Sequence, residues 1–347
     1  MFLARGGELL YLQLCNAVRQ DGDIIRQWSQ EAGLSLSENE RDPNALHAAL
    51  ISAFNSMLDS CPKTVGRLAE FLDTGVDAET AQATDRENNG QSRFTSCGWC
   101  PAESWREGTL FAVELLRLSE AALDPVERIE LLEIGCALQV LRSLCAQSAR
   151  SARIGEASNS RLGYIWAISD PSGEQQVIKQ ISRRNVNAIQ RLIHDALRNP
   201  EIAEQFKNLP QSEVEDAYKV ADSRYGHKLF LGLAKRIGLI TPKRGAGARF
   251  VFTDKLLRFL ILALVRPGKR VTYETFKALM RAHYGIAVDD EALGAACEWS
   301  GTNRLSTLGG SADAWLVDML AASGVLIRLS DSCSMVENPF ARREVTL

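Results

Sequence analysis

Apolar residues recur every three or four positions through most of the first 150 residues, the period of helices that bury one face. Asp42-Pro43 opens one such run, with Asp as N-cap and Pro at the first helical position. Leu46, Leu50, Ala53, Phe54 and Met57 then fall on one side. A shorter helix follows Pro62 with Val65, Leu68, Ala69 and Leu72, and Gly75 is a suitable stop. The polar run TDRENNGQSRFTS, 84–96, reads as a loop. Ser104 and Glu107 have capping-box spacing ahead of Leu110, Phe111, Leu115 and Leu118. Asp124-Pro125, with Glu127 behind it, starts a helix reaching about Ala149. That helix is apolar around most of its circumference, so it is expected to be the buried spine of a first helical domain.

Beyond the polar linker SARSARIGEASNS the period changes. RLGYIWAIS and QQVIKQIS flank the turn DPSGE, which predicts a β-hairpin over 161–182 and a helix from Asn185 to Leu197. Ser212 and Glu215 have capping-box spacing, and two helices then lead into RIGLITPKRGAGARFVFTDKLL. On the helix from Arg224 to Ile237, Leu229, Phe230, Leu233, Ala234 and Ile237 share one face. Arg224, Lys228 and Lys235 form a stripe almost opposite, with Tyr225 and Arg236 on the flank. Gly245 and Gly247 permit a tight corner between Lys243, Arg244 and Arg249, and Phe250 and Phe252 alternate with Val251 as in a short strand.

Charge changes the picture most. The whole chain sums to −3, but residues 1–150 hold 13 Lys/Arg against 22 Asp/Glu, net −9. Residues 151–223 are near neutral at −1, 224–281 hold 14 against 2, net +12, and 282–347 stand at −5. A block that dense in cations attracts a polyanion through counterion release. Its competing uses are as a solubilising face or as a dock for the acidic first 150 residues.

Helix, apolar pair and basic hairpin together resemble the recognition helix and wing of the winged-helix (winged helix-turn-helix) superfamily over about 212–285, in architecture rather than by a diagnostic motif. LGLAKRIGLITPKRGAGARFVFTDKLL and LVDMLAASGVLIRLSDSCSMVENPF share one order: helix, glycine, apolar pair, strand, turn, strand. A second such unit is expected near 285–340. The expected fold is therefore mainly α. An acidic all-helical domain (1–150) precedes a β-hairpin plus helix insert (151–205). A tandem α+β region follows, with a basic winged-helix domain (206–285) and a second winged-helix-like unit and tail (286–347).

Chemistry is sparse. GAGARF lacks a third glycine and leads into a strand rather than a helix, which excludes a dinucleotide loop, and no G-x-x-x-x-G-K-[ST] occurs. CGWCP offers Cys97 and Cys100 as weak candidates for zinc. A structural zinc site takes four ligands and no second pair exists, while a redox role lacks the surrounding βαβ pattern. Asp170 and Lys179 resemble part of a restriction-type nuclease core, yet Val177 stands where a carboxylate is required. His47, His194, His227 and His283 are isolated from one another, with His227 at the edge of the basic helix.

No apolar run approaches the ~18 residues of a membrane span, and no leader pattern opens the chain, so a cytoplasmic address is expected. A helix-like pattern begins close to Met1, which leaves open both a missing upstream segment and a short native start. The expected function is a non-enzymatic DNA-binding subunit without cofactor, accessory to a larger bacterial complex. Arg224, Lys228, Lys235, Arg236, Lys243, Arg244 and Arg249 would grip duplex DNA mainly by its phosphates, and the acidic domain would meet a partner protein. The alternative is a scaffold of a chromosome-maintenance or phage-defence system whose winged helices dock partners.

Overall fold

The computed structural model describes residues 6–60, 100–152, 162–204, 210–301, 311–330 and 333–341, with five further positions between 62 and 70. The expected helix after Pro62 lies mostly outside the described residues, as do Cys97 and the loop at 84–96. The chain is mainly helical, with a few short strands in small sheets.

The N-terminal part is built from α1 (Gly6–Val18), α2 (Gly22–Glu31), α3 (Glu38–Arg41), α4 (Pro43–Ser60), α5 (Trp105–Glu120) and α6 (Pro125–Ser151). Asp42 caps α4 by accepting from the Asn44 and Ala45 amides, and Asp124 caps α6 through Val126. Ser104 caps nothing: its hydroxyl meets Cys100 and Asn16, and Glu107 pairs instead with Arg150. Helix α6 is buried along most of its length. Leu131, Leu138, Leu141 and Cys145 belong to the same apolar cluster as Phe230, Phe250, Leu260 and Val336, so it packs against the C-terminal half as well.

Among the described residues of 161–182 no hairpin forms. The first segment is β1 (Trp166–Ala167), which pairs in parallel with β5 (Ile286–Ala287), while Gln176–Leu197 is a single helix, α7. The side chains explain why. Ile178, Ile181, Asn185, Ile189, Leu192 and Ala196 are buried at spacings of three and four, and Val177 is exposed, which is helical rather than alternating order. Helix formation therefore extends through the β-branched residues that suggest a strand, because tertiary burial overrides propensity.

After the short α8 (Pro200–Glu204), α9 (Gln211–Asp222) runs without interruption through a π-helical segment (Ser223–Leu231) into α10 (Gly232–Arg236). Pro210, not Ser212, precedes α9, and no side chain caps it. β2 (Ile240–Thr241) and β3 (Arg249–Phe250) make an antiparallel hairpin, and Phe250, Val251 and Phe252 are all buried rather than alternating. Then come α11 (Asp254–Leu264), β4 (Arg270–Thr272), α12 (Tyr273–Tyr284), β5, α13 (Asp290–Trp299), α14 (Ala314–Ala322), β6 (Leu326–Ser330) and β7 (Cys333–Glu337). β4, β7 and β6 form one antiparallel sheet in that spatial order, so the strand before α12 lies beside the last strand of the chain.

Two stretches share one element order: helix, strand, helix, helix, strand, strand. The first is α6, β1, α7, α9–α10, β2, β3, with the short α8 inserted, and the second is α11, β4, α12, α14, β6, β7, with β5 and α13 inserted. Their ends match in register. The buried Ala234 and Leu320, the left-handed Gly238 and Gly324, and the strand pairs Ile240–Phe250 and Leu326–Val336 all stand 86 positions apart. The Leu239 amide donates to Ala234 and that of Val325 to Leu320; Val251 donates to Leu239 and Glu337 to Val325. One difference is plain: Ile168, at the end of β1, bridges Phe250 in parallel, whereas β4 meets β7 antiparallel.

Candidate nucleic-acid interface

The helix running through 223–236 buries Gly226, Phe230 and Ala234 and leaves Arg224, His227, Lys228 and Arg236 exposed, with Lys235 half-buried. Phe230 meets Phe250 edge-on with ring centroids 6.3 Å apart, which fastens this helix to the hairpin behind it. Lys243 and Arg244 are exposed at the hairpin corner, where Gly245 and Gly247 both take positive φ.

Arg249 is not part of that surface. Its side chain turns inward and only 7% of the residue is exposed. Nη1 donates to Ser169 Oγ and to the Asp170 carbonyl, both at 2.7 Å, and Nη2 to the Pro171 carbonyl at 3.1 Å. Burial holds its pKa below the usual guanidinium value, offset in part by the Asp170 carboxylate and reinforced by nearby Arg183. The expected phosphate ligand is a clamp joining β3 to the segment after β1. A strand position alternates, so the residue before a buried Phe250 reads as outward facing; here a chain on the other side covers it.

The cations of the basic block divide into two sets. Arg224, Lys228, Lys235, Arg236, Lys243 and Arg244 form no ion pair with any described residue. From position 255 onward most are paired. Lys255 meets Glu130 at 2.6 Å, Arg258 meets Glu127, and Arg266 meets Glu40 at 2.6 Å. Lys277 pairs with Asp313 and Glu274, and Arg281 with Asp289. Three of these acids come from the first 150 residues, so the acidic part does dock on the basic block, along α11 and at Arg266, two residues beyond it. Among the described residues it leaves the exposed cations of the helix and hairpin without an ion pair.

A further set of cations lies where segment counting shows neutrality. Helix α7 exposes Arg183, Arg184 and Arg191, with Lys179 half-buried, and none has an ion-pair partner among the described residues. Arg183 reaches the hairpin: a Cβ on Gly247 would lie 3.0 Å from its guanidinium. Averaging over 151–223 hides these charges behind acids on α9. Reading α7 by helical face, with Ile178, Ile181, Ile189 and Leu192 inward, exposes them.

Between α7 and the π-helical segment runs a cleft of about 400 Å³ lined by Asn187, Gln190, Arg191, His194, Asp222 and His227. Asp222 is already held by both terminal nitrogens of Arg198, at 2.9 and 2.8 Å. The second cleft, about 960 Å³, opens between α2, α5 and α12–α13 and mixes Arg106, Arg150 and Arg281 with Glu31, Glu107 and Glu291.

The other sequence candidates that are described stand in separate places. Cys100 is half-buried, 3.0 Å from Ser104 Oγ, and burial raises its thiol pKa, so it is a poor nucleophile. No group of three metal-ligating side chains occurs among the described residues. Asp170 accepts from Ser172 and the Glu174 amide in a turn, and Lys179 stands on a helix, so the strand geometry of a nuclease core is absent at this place. No helix among the described residues is long and apolar enough to cross a membrane. No family model, curated protein or solved structure matches the chain.

Proposed function

We propose that this chain is a non-enzymatic DNA-binding subunit that holds duplex DNA chiefly by its phosphates. In this reading α9–α10 and the β2–β3 hairpin are the recognition helix and wing of a winged-helix unit. The observation that carries it is selective neutralisation. Cations from Lys255 to Arg281 are mostly consumed by internal carboxylates, whereas Arg224, Lys228, Arg236, Lys243 and Arg244 stay exposed without a described partner. An unpaired, solvated cation gives up little on meeting a phosphate, while a paired one must first lose its acid. Few side chains on the exposed face suit bidentate contacts to base edges, so sequence preference should be modest.

The test is the affinity of the full chain for a duplex as a function of salt. Five phosphate contacts imply that log K falls against log salt with a slope of about −4 to −5. A slope shallower than about −1 overturns the reading.

The second repeat supports protein docking rather than DNA. Where the first presents Lys228, Lys235 and Arg236, the positions 86 residues on are Ala314, Ala321 and Ala322, all exposed. Where Lys243 tips the first hairpin, Leu329 stands 61% exposed. The loss of these cations, with only Arg328 exposed beside Leu329, fits a tandem in which one unit holds DNA and the other meets a partner subunit of a larger complex. Co-purification of a partner that persists when DNA retention is abolished supports that division.

A further inference from the structure

We infer that the cleft between α7 and the π-helical segment is a phosphate-ester site, held by Arg191, His194 and His227, that carries the DNA strand from the hairpin onto α7. This rests on the DNA-binding reading and extends its footprint. Three observations bear on it. First, the exposed ridge of α7 is a single line: Arg183, Asn187, Arg191 and His194 recur at intervals of four, four and three, spanning about 16 Å at 1.5 Å per residue. Two sugar-phosphate steps fit along such a length. Arg183 at one end touches the hairpin turn, so the ridge is continuous with Lys243 and Arg244.

Second, the opposite wall is π-helical. A π-turn is uncommon and concentrates at functional sites, because the wider turn re-aims side chains. Here it places His227 on the cleft while its neighbours Arg224 and Lys228 remain on the exposed stripe. Third, the floor is kept open by Gly226. That residue is buried, yet an added Cβ would meet nothing within 4 Å. Glycine in a helix interior costs about 1 kcal/mol relative to alanine. Nothing in the packing requires it here, whereas an incoming group would.

Two acids stand near the cleft and are partly occupied. Asp222 is engaged by Arg198, and Asp195 lies beside His194, whose Nδ1 is 3.0 Å from its carboxylate. Arg191 keeps its whole guanidinium, and neither His194 Nε2 nor either nitrogen of His227 makes a hydrogen bond with a described residue, although the Asp222 carboxylate attracts both rings. A phosphate oxygen accepting from Arg191 and an imidazole N–H in this cleft would gain charge-assisted bonds on two sides. A phosphate ester can come from a DNA strand or from a free nucleotide, and the test separates them.

The chain's four histidines serve as probes, since only His194 and His227 line the cleft, His283 is fully buried and His47 lies on α4. The experiment follows their imidazole NMR signals in the full chain during titration with duplex DNA. Parallel titrations use a 5′-mononucleotide and inorganic phosphate. Duplex should shift the His194 and His227 signals and leave those of His47 and His283 in place. Arg191→Ala should weaken duplex affinity about tenfold and reduce the salt slope by about 0.9. Gly226→Leu, which fills the cleft, should do at least as much, with Gly226→Ala as the folded control. If duplex binds with its full salt slope but the two signals stay still and Arg191→Ala binds normally, the cleft is not a phosphate site and the DNA-binding reading stands. If duplex fails while the mononucleotide or phosphate shifts the same two signals in an Arg191-dependent way, the site is real, its source is a free nucleotide, and the DNA reading falls. If none of the three ligands shifts them, the inference is overturned.

Discussion

Glu114 and Arg142 form a two-pronged ion pair in the interior, with nitrogen–oxygen distances of 2.8 and 2.9 Å and almost no solvent contact for either residue. Glu114 also accepts from His283 Nδ1 at 2.8 Å and from the Tyr284 hydroxyl at 2.7 Å. Arg142 in turn donates to Gln139 and to the His283 carbonyl, and Gln139 reaches Gln13. One polar network thus fixes α1, α5, α6 and α12 against each other. Removing one member strands the other's charge in a medium that cannot solvate it. Glu114→Gln is expected to cost about 3–5 kcal/mol of stability in urea unfolding. Glu114→Leu with Arg142→Met should cost less than either single change, since no lone charge remains.

The same network sets the acid limit. Burial alone would raise the Glu114 pKa, but Arg142 and the His283 hydrogen bond outweigh it and hold it at about 2. Glu40 is likewise held at about 2, against burial, by Arg117 and more weakly by Arg266. Both carboxylates release their proton more readily folded than unfolded, so their contribution is complete above about pH 4.5 and is lost as pH falls towards 2. His283 moves downward from its ordinary value because burial disfavours its charged form, even though Glu114 pulls the other way. The unfolded chain therefore binds a proton there that the folded chain resists, and stability should already decline below about pH 6.5. Urea midpoints measured from pH 8 to pH 3 should fall in two stages, and His283→Gln should flatten the first.

What could be read from the sequence depended on whether a residue's role was local. Asp42-Pro43 and Asp124-Pro125 announce helix starts because a cap needs only the next three residues. The shared order at the ends of the two repeats was also visible, since a glycine after a helix and an apolar pair after the glycine are neighbours in the chain. The extended segment at Trp166 was recognisable as a strand, but its partner was not. Ile286 lies 120 positions away, and the nearest β-branched run, at Val177, belongs to a helix. Arg249 illustrates the same limit for function. Its neighbours Lys243 and Arg244 share its charge and its hairpin, and only the distant Ser169–Pro171 segment turns it from a surface cation into a clamp.

The repeated turn permits a paired test. Gly238 and Gly324 both hold a left-handed conformation after a helix, with φ of 80° and 71°. A side chain on Gly238 would also strike Thr253 Cγ2 at 2.7 Å, whereas one on Gly324 meets nothing within 4 Å. Conformational strain alone costs roughly 1–2 kcal/mol for an L-residue there. Gly324→Ala should therefore lose about that much, and Gly238→Ala clearly more, by the contact with Thr253. Equal losses in thermal or urea unfolding would mean that Thr253 gives way and that backbone strain alone sets the cost at both turns.

Arg249 and the pair Lys243 and Arg244 lie within one hairpin, and their substitutions should separate folding from binding. Arg249→Ala removes three hydrogen bonds from a buried guanidinium to a hydroxyl and two carbonyls, leaving those acceptors without their donor. It should cost about 1–3 kcal/mol in urea unfolding while the salt slope of DNA binding keeps its value. Lys243→Glu with Arg244→Glu changes only exposed side chains, so stability should move by less than about 0.5 kcal/mol. The duplex should then be lost, because two phosphate contacts become two repulsions and the salt slope flattens by about 2. The decisive comparison places both variants on the same axes of urea midpoint and salt slope. Arg249 belongs to the clamp if it moves along the first axis, and the corner belongs to the interface if it moves along the second. A charge reversal at the corner that leaves duplex affinity intact would remove the hairpin from any DNA contact.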